Sequence, residues 1–528
     1  MSGTEVVSPR PLAGRIAAAR RGPHRGPALP AGLLIMLLLV GFAAVWLVEL
    51  ACTSFSPPVD NIEQLIWVRS LEWGYYKHPP LPTWLMWLPA RVLGISATTS
   101  YLLGAAVTLG AMALFWRLLR ERRGTTCATL ALLGGLCITF YNGRLYYYNH
   151  NVVLLLAVVA SAACCARAFE RRTLRWWAAT GVVLGLGALT KYQIVVTVAC
   201  VVGMWLTQRA WRDPVHVRGV LLATLIALVL VSPHLLWLST HGFTPFHYAV
   251  DSSYGADLRV SQRMASTLLW EADQLLNRAL PAWLLLATCA LAIARQKPTP
   301  AAPRPADCAP DLTRALLVCW GVLPLILMPA LSLAFGTRLQ THWGTPFLLF
   351  AVAAAMELKP AAFWNRLRWP VAAVAFVAIQ SLLLLVNYVT SPIGLAPFKD
   401  SHWRTYPSKP MTDAMADLAR TRLGGPIRVV AGSVSEAGAL AMSLPELPLV
   451  LLDGRQDISP WVPRDLVRRC GAVELLRNPA EGSDALPVGA VPGLFWRVMA
   501  PADHSGNCHG TGLEFRRLKL FPNPHGGS

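Results

Sequence analysis

Charge is what this chain has least of. Only 14% of its 528 residues are Asp, Glu, Lys or Arg, where soluble domains run near about a quarter. With 54% hydrophobic side chains, that shortage excludes an ordinary globular enzyme throughout. Acidic residues are the scarcer sign, 28 against 47 Lys plus Arg, for a formal net charge of +19. In a soluble protein such a balance would suggest nucleic acid, so the position of the charges has to decide. There is no His/Cys cluster with metal-ligand spacing and no internal repeat. The 11 cysteines lie mostly inside apolar runs and leave the redox compartment open. The composition is that of a polytopic membrane protein.

The first thirty residues carry Arg10, Arg15, Arg20, Arg21 and Arg25 against the single acid Glu5, and Pro30 opens the apolar run Ala31–Cys52. That run is long enough to cross a hydrocarbon core of roughly 30 Å. It is too long for a cleaved signal peptide, and no small-residue cleavage site follows it. Further apolar runs near 98–116, 125–141, 151–166, 177–190, 192–207, 219–239, 281–294, 315–335, 344–356 and 370–390 bring the expected count to about eleven transmembrane helices. The pieces on either side of Lys191 are short and read as half-helices around a break.

The basic residues are unevenly sided. With the N-terminus inside, twenty-three arginines and lysines fall in cytoplasmic segments, among them Arg117, Arg120, Arg122 and Arg123, whereas the opposite loops before residue 390 hold nine. This is the positive-inside bias. It assigns the surplus charge to topology and removes the case for nucleic acid. We therefore expect a basic cytoplasmic tail at 1–30, a transmembrane catalytic domain at 31–394 in a plasma (inner) membrane, and an extracytoplasmic domain at 395–528. In that last segment Pro426–Gly432 and Leu447–Asp453 are β-rich, with helix-compatible stretches Met411–Leu423 and Ser433–Ser443 around them. Such alternation reads as a small α/β domain. Its two cysteines, Cys470 and Cys508, are expected to pair on an oxidising side. The segment 296–310 reads as a Pro/Ala-rich cytoplasmic linker.

The long first outer loop, about 53–97, concentrates the polar chemistry. Asp60, Glu63 and Trp67 fall at i, i+3 and i+7, one face of a short helix. Gly74 breaks it, and Pro79–Pro80 start a Trp- and Leu-rich stretch suited to the interface. Taken alone, Asp60 reads equally as a helix N-cap and as a carboxylate that takes a proton from an acceptor. Lys77 and His78 read as interfacial anchors or as a clamp on a phosphate. Lys191 stands between two apolar runs, where a lysine is costly and has a partner or a function. Asn149, His150 and Asn151 precede one span, and Arg338, His342 and Trp343 precede another on the same side. Asp60, Lys77, His78, Lys191, Arg338 and His342 are expected to face one outer cavity. Tyr75, Tyr76, Asn149 and Asn151 are expected to line it.

Asp60 followed by WGYYKHPPLPTWL (73–85) resembles the first-loop signature of the GT-C glycosyltransferases that use polyprenyl- or dolichyl-phosphate sugars. Within these it resembles glycosyltransferase family 39, with its relatives the bacterial aminoarabinose transferases. LGLGALTKY (184–192) resembles that group's GLALGLSKY segment, and SPHLLWLSTHGF (232–243) a further span-and-loop pattern. Ile458–Trp461 (ISPW) resembles part of the extracytoplasmic domain of some bacterial members. The resemblance implies a GT-C-type helical fold, with Asp60 as the catalytic carboxylate and Glu63 as its companion. It also implies that His78, with Lys77, Lys191, Arg338 and His342, holds the donor phosphate. Two departures stand out. Many relatives have an Asp-Glu pair where this chain has Asp60 and Asn61, and the acid common at the start of the fourth span is replaced by Asn149 or Asn151. Both leave metal binding open, with a divalent ion as the candidate cofactor.

The implied reaction moves a sugar from a polyprenyl-phosphate donor to a lipid, glycan or protein acceptor on the extracytoplasmic face, with inversion. The partners are then that donor, that acceptor and membrane lipids, and no nucleic acid. A transporter or flippase of lipid-linked sugars and a catalytically weakened binding relative are the rival classes. Short, basic, otherwise featureless cytoplasmic loops favour an enzyme working from outside.

Overall fold

The computed structural model describes residues 30–254, 258–297, 311–396, 404, 406–486, 493–502 and 508. The basic tail 1–29 and most of the linker at 298–310 lie outside the described residues. Each expected apolar run is helical, because a chain in hydrocarbon can satisfy its backbone polar groups only within its own segment. Among the described residues, six helices are long and apolar enough to cross a membrane. A seventh is added if Val260–Arg278 and Leu280–Ala294, bent by 52°, form one span.

The eleven expected spans are therefore not eleven full-length helices. The runs at 98–116 and 125–141 lie mostly in one 40-residue element, Ala97–Leu136, kinked at Gly124 (φ 81°). Leu174–Ala188, Ile194–Thr207 and Thr345–Met356 have 15, 14 and 12 residues. At about 1.5 Å per residue they fall short of a roughly 30 Å core. The break at 189–193 puts Lys191 in a turn between the second of these and the first.

Beyond the last long helix, Trp369–Val389, an α/β unit begins. It contains β1 (Val429–Gly432), β2 (Leu449–Leu452), β3 (Ala472–Leu476), β4 (Asp484–Ala485) and β5 (Phe495–Met499). The sheet order is β2-β1-β3-β5-β4. β1 runs parallel to β2 and β3, and β5 pairs antiparallel with β3 and β4. β1 and β2 fall inside the two β-rich runs, while β3 to β5 carry too little contiguous apolar sequence to announce themselves. Cys470 and Cys508 are free thiols in contact, and burial pushes Cys470 up to about 11.

One short helix joins the two parts. Pro57 and Pro58 end an extended approach, and Val59–Trp67 begins immediately after. Its Ile62 and Ile66, one turn apart, pack into the core of the α/β unit. Leu65, on a different face, joins a second cluster with Met86, Ala90 and Tyr148. Close packing to the α/β unit depends on Gly438, where a Cβ would stand 2.4 Å from Ile62 Cγ2. Arg69 Nη2 adds a hydrogen bond to the Leu447 carbonyl at 3.0 Å. With two faces clamped, the polar face of this helix is fixed in direction.

Candidate active site

That face opens on a cavity of about 620 Å³. Asp60, Glu63, Lys77, His78, Asn149, Asn151, Lys191 and His342 all line it, together with His150. The sequence brings them together from five places: the clamped helix, the Lys77–Pro80 turn, the start of helix His150–Arg171, the break at Lys191 and the short helical turn Thr341–Gly344 that carries His342. The floor of the loop at 73–78 depends on Gly74, where any Cβ would run into the ring of Trp237 at 2.4 Å. His234 holds the same loop by a contact with the Trp73 carbonyl at 2.7 Å.

Asp60 lies in the first turn of its helix and is exposed to the cavity; the cap position itself is Pro58, so the N-cap role is not taken. Its Oδ2 accepts a hydrogen bond from Asn149 Nδ2 at 2.8 Å. Asn149 in turn caps the next helix, its Oδ1 accepting from the Asn151 and Val152 amides at 3.0 and 3.1 Å. Asn151 Oδ1 accepts from Lys191 Nζ at 2.6 Å. Two asparagines thus bridge the carboxylate and the ammonium, and Lys191 also lies 5.6 Å from the Trp343 ring.

The remaining cations separate. Lys77 Nζ donates to Glu63 Oε1 at 2.8 Å and lies 5.1 Å from the Tyr248 ring. Burial alone would lower the Lys77 ammonium, but Glu63, Tyr76 and Tyr248 together outweigh it and hold Lys77 above the ordinary lysine range. Glu63 is consequently the counter-ion of Lys77. His78 packs against His150 with ring centroids 4.1 Å apart and the rings tilted by 43°. Burial, followed by His150, Lys191, Lys77 and His342 nearby, keeps His78 well below the ordinary histidine range, so it stays neutral. Arg338 is exposed and does not line the cavity; its amide donates to the Ser253 carbonyl at 2.8 Å. Among the cations proposed for a phosphate, Lys191 is the one in the cavity whose hydrogen-bond partner is a neutral amide.

Tyr75 and Tyr76 also depart from expectation. Neither lines the cavity. Tyr75 is buried behind it, stacked on Trp67 at 4.6 Å, with its hydroxyl donating to the Ser70 carbonyl at 2.8 Å. Tyr76 is half-buried beside Lys77. Asn61 has a structural role: Nδ2 donates to Ser100 Oγ at 2.9 Å and to the Tyr146 carbonyl at 2.8 Å, while Oδ1 accepts from the Tyr148 amide at 2.8 Å. An aspartate has no donor for the first two contacts. Sequence reading missed Tyr192, Gln193, Phe246, Tyr248 and Gln340 in the lining, since nothing local distinguishes them from ordinary interfacial residues. Among the described residues, no three His, Cys, Asp or Glu side chains come together as a metal-ligand set.

The family model for dolichyl-phosphate-mannose-protein mannosyltransferases matches residues 77–237. The chain is 26% identical to the lipid A galacturonosyltransferase RgtD of Rhizobium johnstonii over 43% of its own length, and the match spans 48% of that relative. It is 24% identical to the lipopolysaccharide core galacturonosyltransferase RgtB of the same organism, over 86% of this chain and 89% of that one. Among solved structures, ArnT from Cupriavidus metallidurans bound to undecaprenyl phosphate superposes with a TM-score of 0.55 at 13% identity, covering 83% of this chain and 92% of that one. These matches bear out the resemblance read from the first outer loop: the chain is similar to glycosyltransferases of the GT-C kind.

Proposed function

We propose that the cavity transfers a sugar from a polyprenyl-phosphate donor to an envelope acceptor on the extracytoplasmic face. The observation that carries this reading is the Asp60–Asn149–Asn151–Lys191 chain, which holds a carboxylate and an ammonium at fixed separation within one cavity. Val195, Val196, Phe246, Val250 and Leu331 make another part of its wall apolar, and an isoprenoid tail would lie along them. In the reaction, Asp60 takes the proton of the acceptor hydroxyl. The hydroxyl oxygen forms the new bond to the anomeric carbon, and the old carbon–oxygen bond to phosphate breaks on the opposite face. The phosphate leaves with the electron pair toward Lys191. A general base supplies about 10²–10⁴-fold, and positioning with charge stabilisation supplies the rest.

The two asparagine departures fit an active enzyme, because Asn61 ties the helix to the 146–148 loop and Asn151 orients Lys191. The galacturonosyltransferase relatives favour an acceptor of the lipopolysaccharide kind. An N-terminus in the cytoplasm and about eleven crossings, short helices included, belong to the same proposal. Asp60→Asn tests it: the variant should insert and purify normally yet transfer no sugar from polyprenyl-phosphate donors. Wild-type turnover in that variant would remove Asp60 from the mechanism.

A further inference from the structure

Resting on the transferase reading above, we infer that the carboxyl edge of the C-terminal sheet is a subsite for an uncharged, hydroxyl-rich saccharide portion of the acceptor. A crevice of about 350 Å³ lies there, bounded by the ends of three parallel strands: Gly432 at the end of β1, Asp453 and Gly454 after β2, and Glu474–Arg477 in and after β3. That volume sits at the low end of small-molecule sites, about 300–1,000 Å³. Its position follows from topology. β2 and β3 flank β1 on opposite sides, so the connections leaving the strand ends diverge and open a hollow at the point of reversal.

The lining selects for ligand chemistry. Of the three lining carboxylates, Glu436 is paired with Arg477 and Glu474 with Arg497 at 2.6 Å, while Asp453 has no ion pair among the described residues. A phosphate or a uronate would meet repulsion from the Asp453 carboxylate, whereas a hydroxyl group would find there a charged acceptor, which makes the stronger hydrogen bond. Half-buried Leu476 adds an apolar contact suited to the C–H face of a pyranose ring, backed by the buried Leu475 and Leu494. The polar rim is held in place: Glu436 is 4% exposed and bonded to Arg477, and Ser435 Oγ donates to its other oxygen at 3.1 Å. Ser433 Oγ accepts from the Glu436 amide at 3.2 Å.

The crevice also lies beside the catalytic machinery. The helix that begins at Glu436 is the one whose Gly438 packs on Ile62, two residues from Asp60. Arg455, next after the crevice residue Gly454, lies within electrostatic reach of Tyr76, the neighbour of Lys77. A saccharide seated at the sheet edge is thereby presented on the side of the outer loop that carries Asp60.

The test is saccharide binding to the full chain in detergent, read by saturation-transfer NMR with chitobiose as the neutral probe and digalacturonate as the anionic one. Chitobiose should bind and digalacturonate should not. Ser435→Phe, which fills the crevice, should abolish the chitobiose signal. Asp453→Asn should weaken it about fivefold, the difference between a charged and a neutral acceptor. Asp453 sits at φ 49°, a left-handed conformation that asparagine tolerates, so this variant keeps the test decisive if Ser435→Phe does not fold. Absence of chitobiose binding, digalacturonate binding as tight or tighter, or a chitobiose affinity unchanged by Asp453→Asn would each overturn the assignment. Binding is read without turnover, so a fully active Asp60→Asn would refute the transferase mechanism while this result stood or fell separately.

Discussion

Replacing Glu63 by Gln should destabilise the outer loop by about 3 kcal/mol, and a second substitution should restore most of that loss. The Glu63 side chain is 6% exposed and that of Lys77 20%, with 2.8 Å between charged atoms. At an effective dielectric of about 20 the attraction at that separation is about 6 kcal/mol. Much of it is offset by the desolvation of both charges, so the pair adds little net stability. Removing one partner is a different matter, because it strands the other charge, at about 3–5 kcal/mol. The residual exposure of Lys77 and its contacts with the Tyr76 and Tyr248 rings, 5.5 and 5.1 Å away, place the effect at the low end. Lys77→Met in the Glu63→Gln background replaces the stranded ammonium by an apolar side chain of similar length and should recover the stability. The assay is the apparent unfolding midpoint of each purified variant in one detergent at one scan rate, since unfolding here is compared as a rate-dependent quantity. A Glu63→Gln midpoint indistinguishable from wild type, or a double variant no more stable than the single one, would refute the argument.

Three other outcomes follow from the same geometry. Because burial and neighbouring cations depress His78, its contribution to stability is complete above the unfolded value of about 6.5 and is lost as pH falls below it. His78→Gln should flatten the acid limb of the unfolding midpoint against pH, and an unchanged limb would remove His78 as its source. Asn61→Asp should not create a second catalytic acid; it forfeits the donors to Ser100 and Tyr146 and should lower stability by about 3 kcal/mol. A stable variant with raised activity would contradict that structural role. Gly438→Ala should overpack against Ile62, cost about 1–3 kcal/mol and reduce transfer, with partial recovery on adding Ile62→Ala. If the double variant is as impaired as the single one, the α/β unit does not hold the Asp60 helix through this contact.

Several features of the protein were legible along the chain because their physical cause acts along the chain. Hydrocarbon demands contiguous apolar residues, so every expected run is helical. The i, i+3, i+7 spacing of Asp60, Glu63 and Trp67 described a real helix, and Lys77 and His78 line the cavity. Span number was less legible, since mean apolarity does not report whether a helix is 12 or 22 residues long.

Sequence by itself determined the membrane class and the position of the polar loop, each a property of neighbouring residues. It did not determine which cation would be neutralised. Lys77, Lys191 and Arg338 look alike in one dimension, yet one meets Glu63, one meets Asn151 and one faces outward. Electrostatic state depends on distances of a few ångströms between elements far apart in the chain, and only their packing sets those. The same holds for the α/β unit, whose Gly438 reaches back across the sequence to Ile62 and fixes the direction of Asp60.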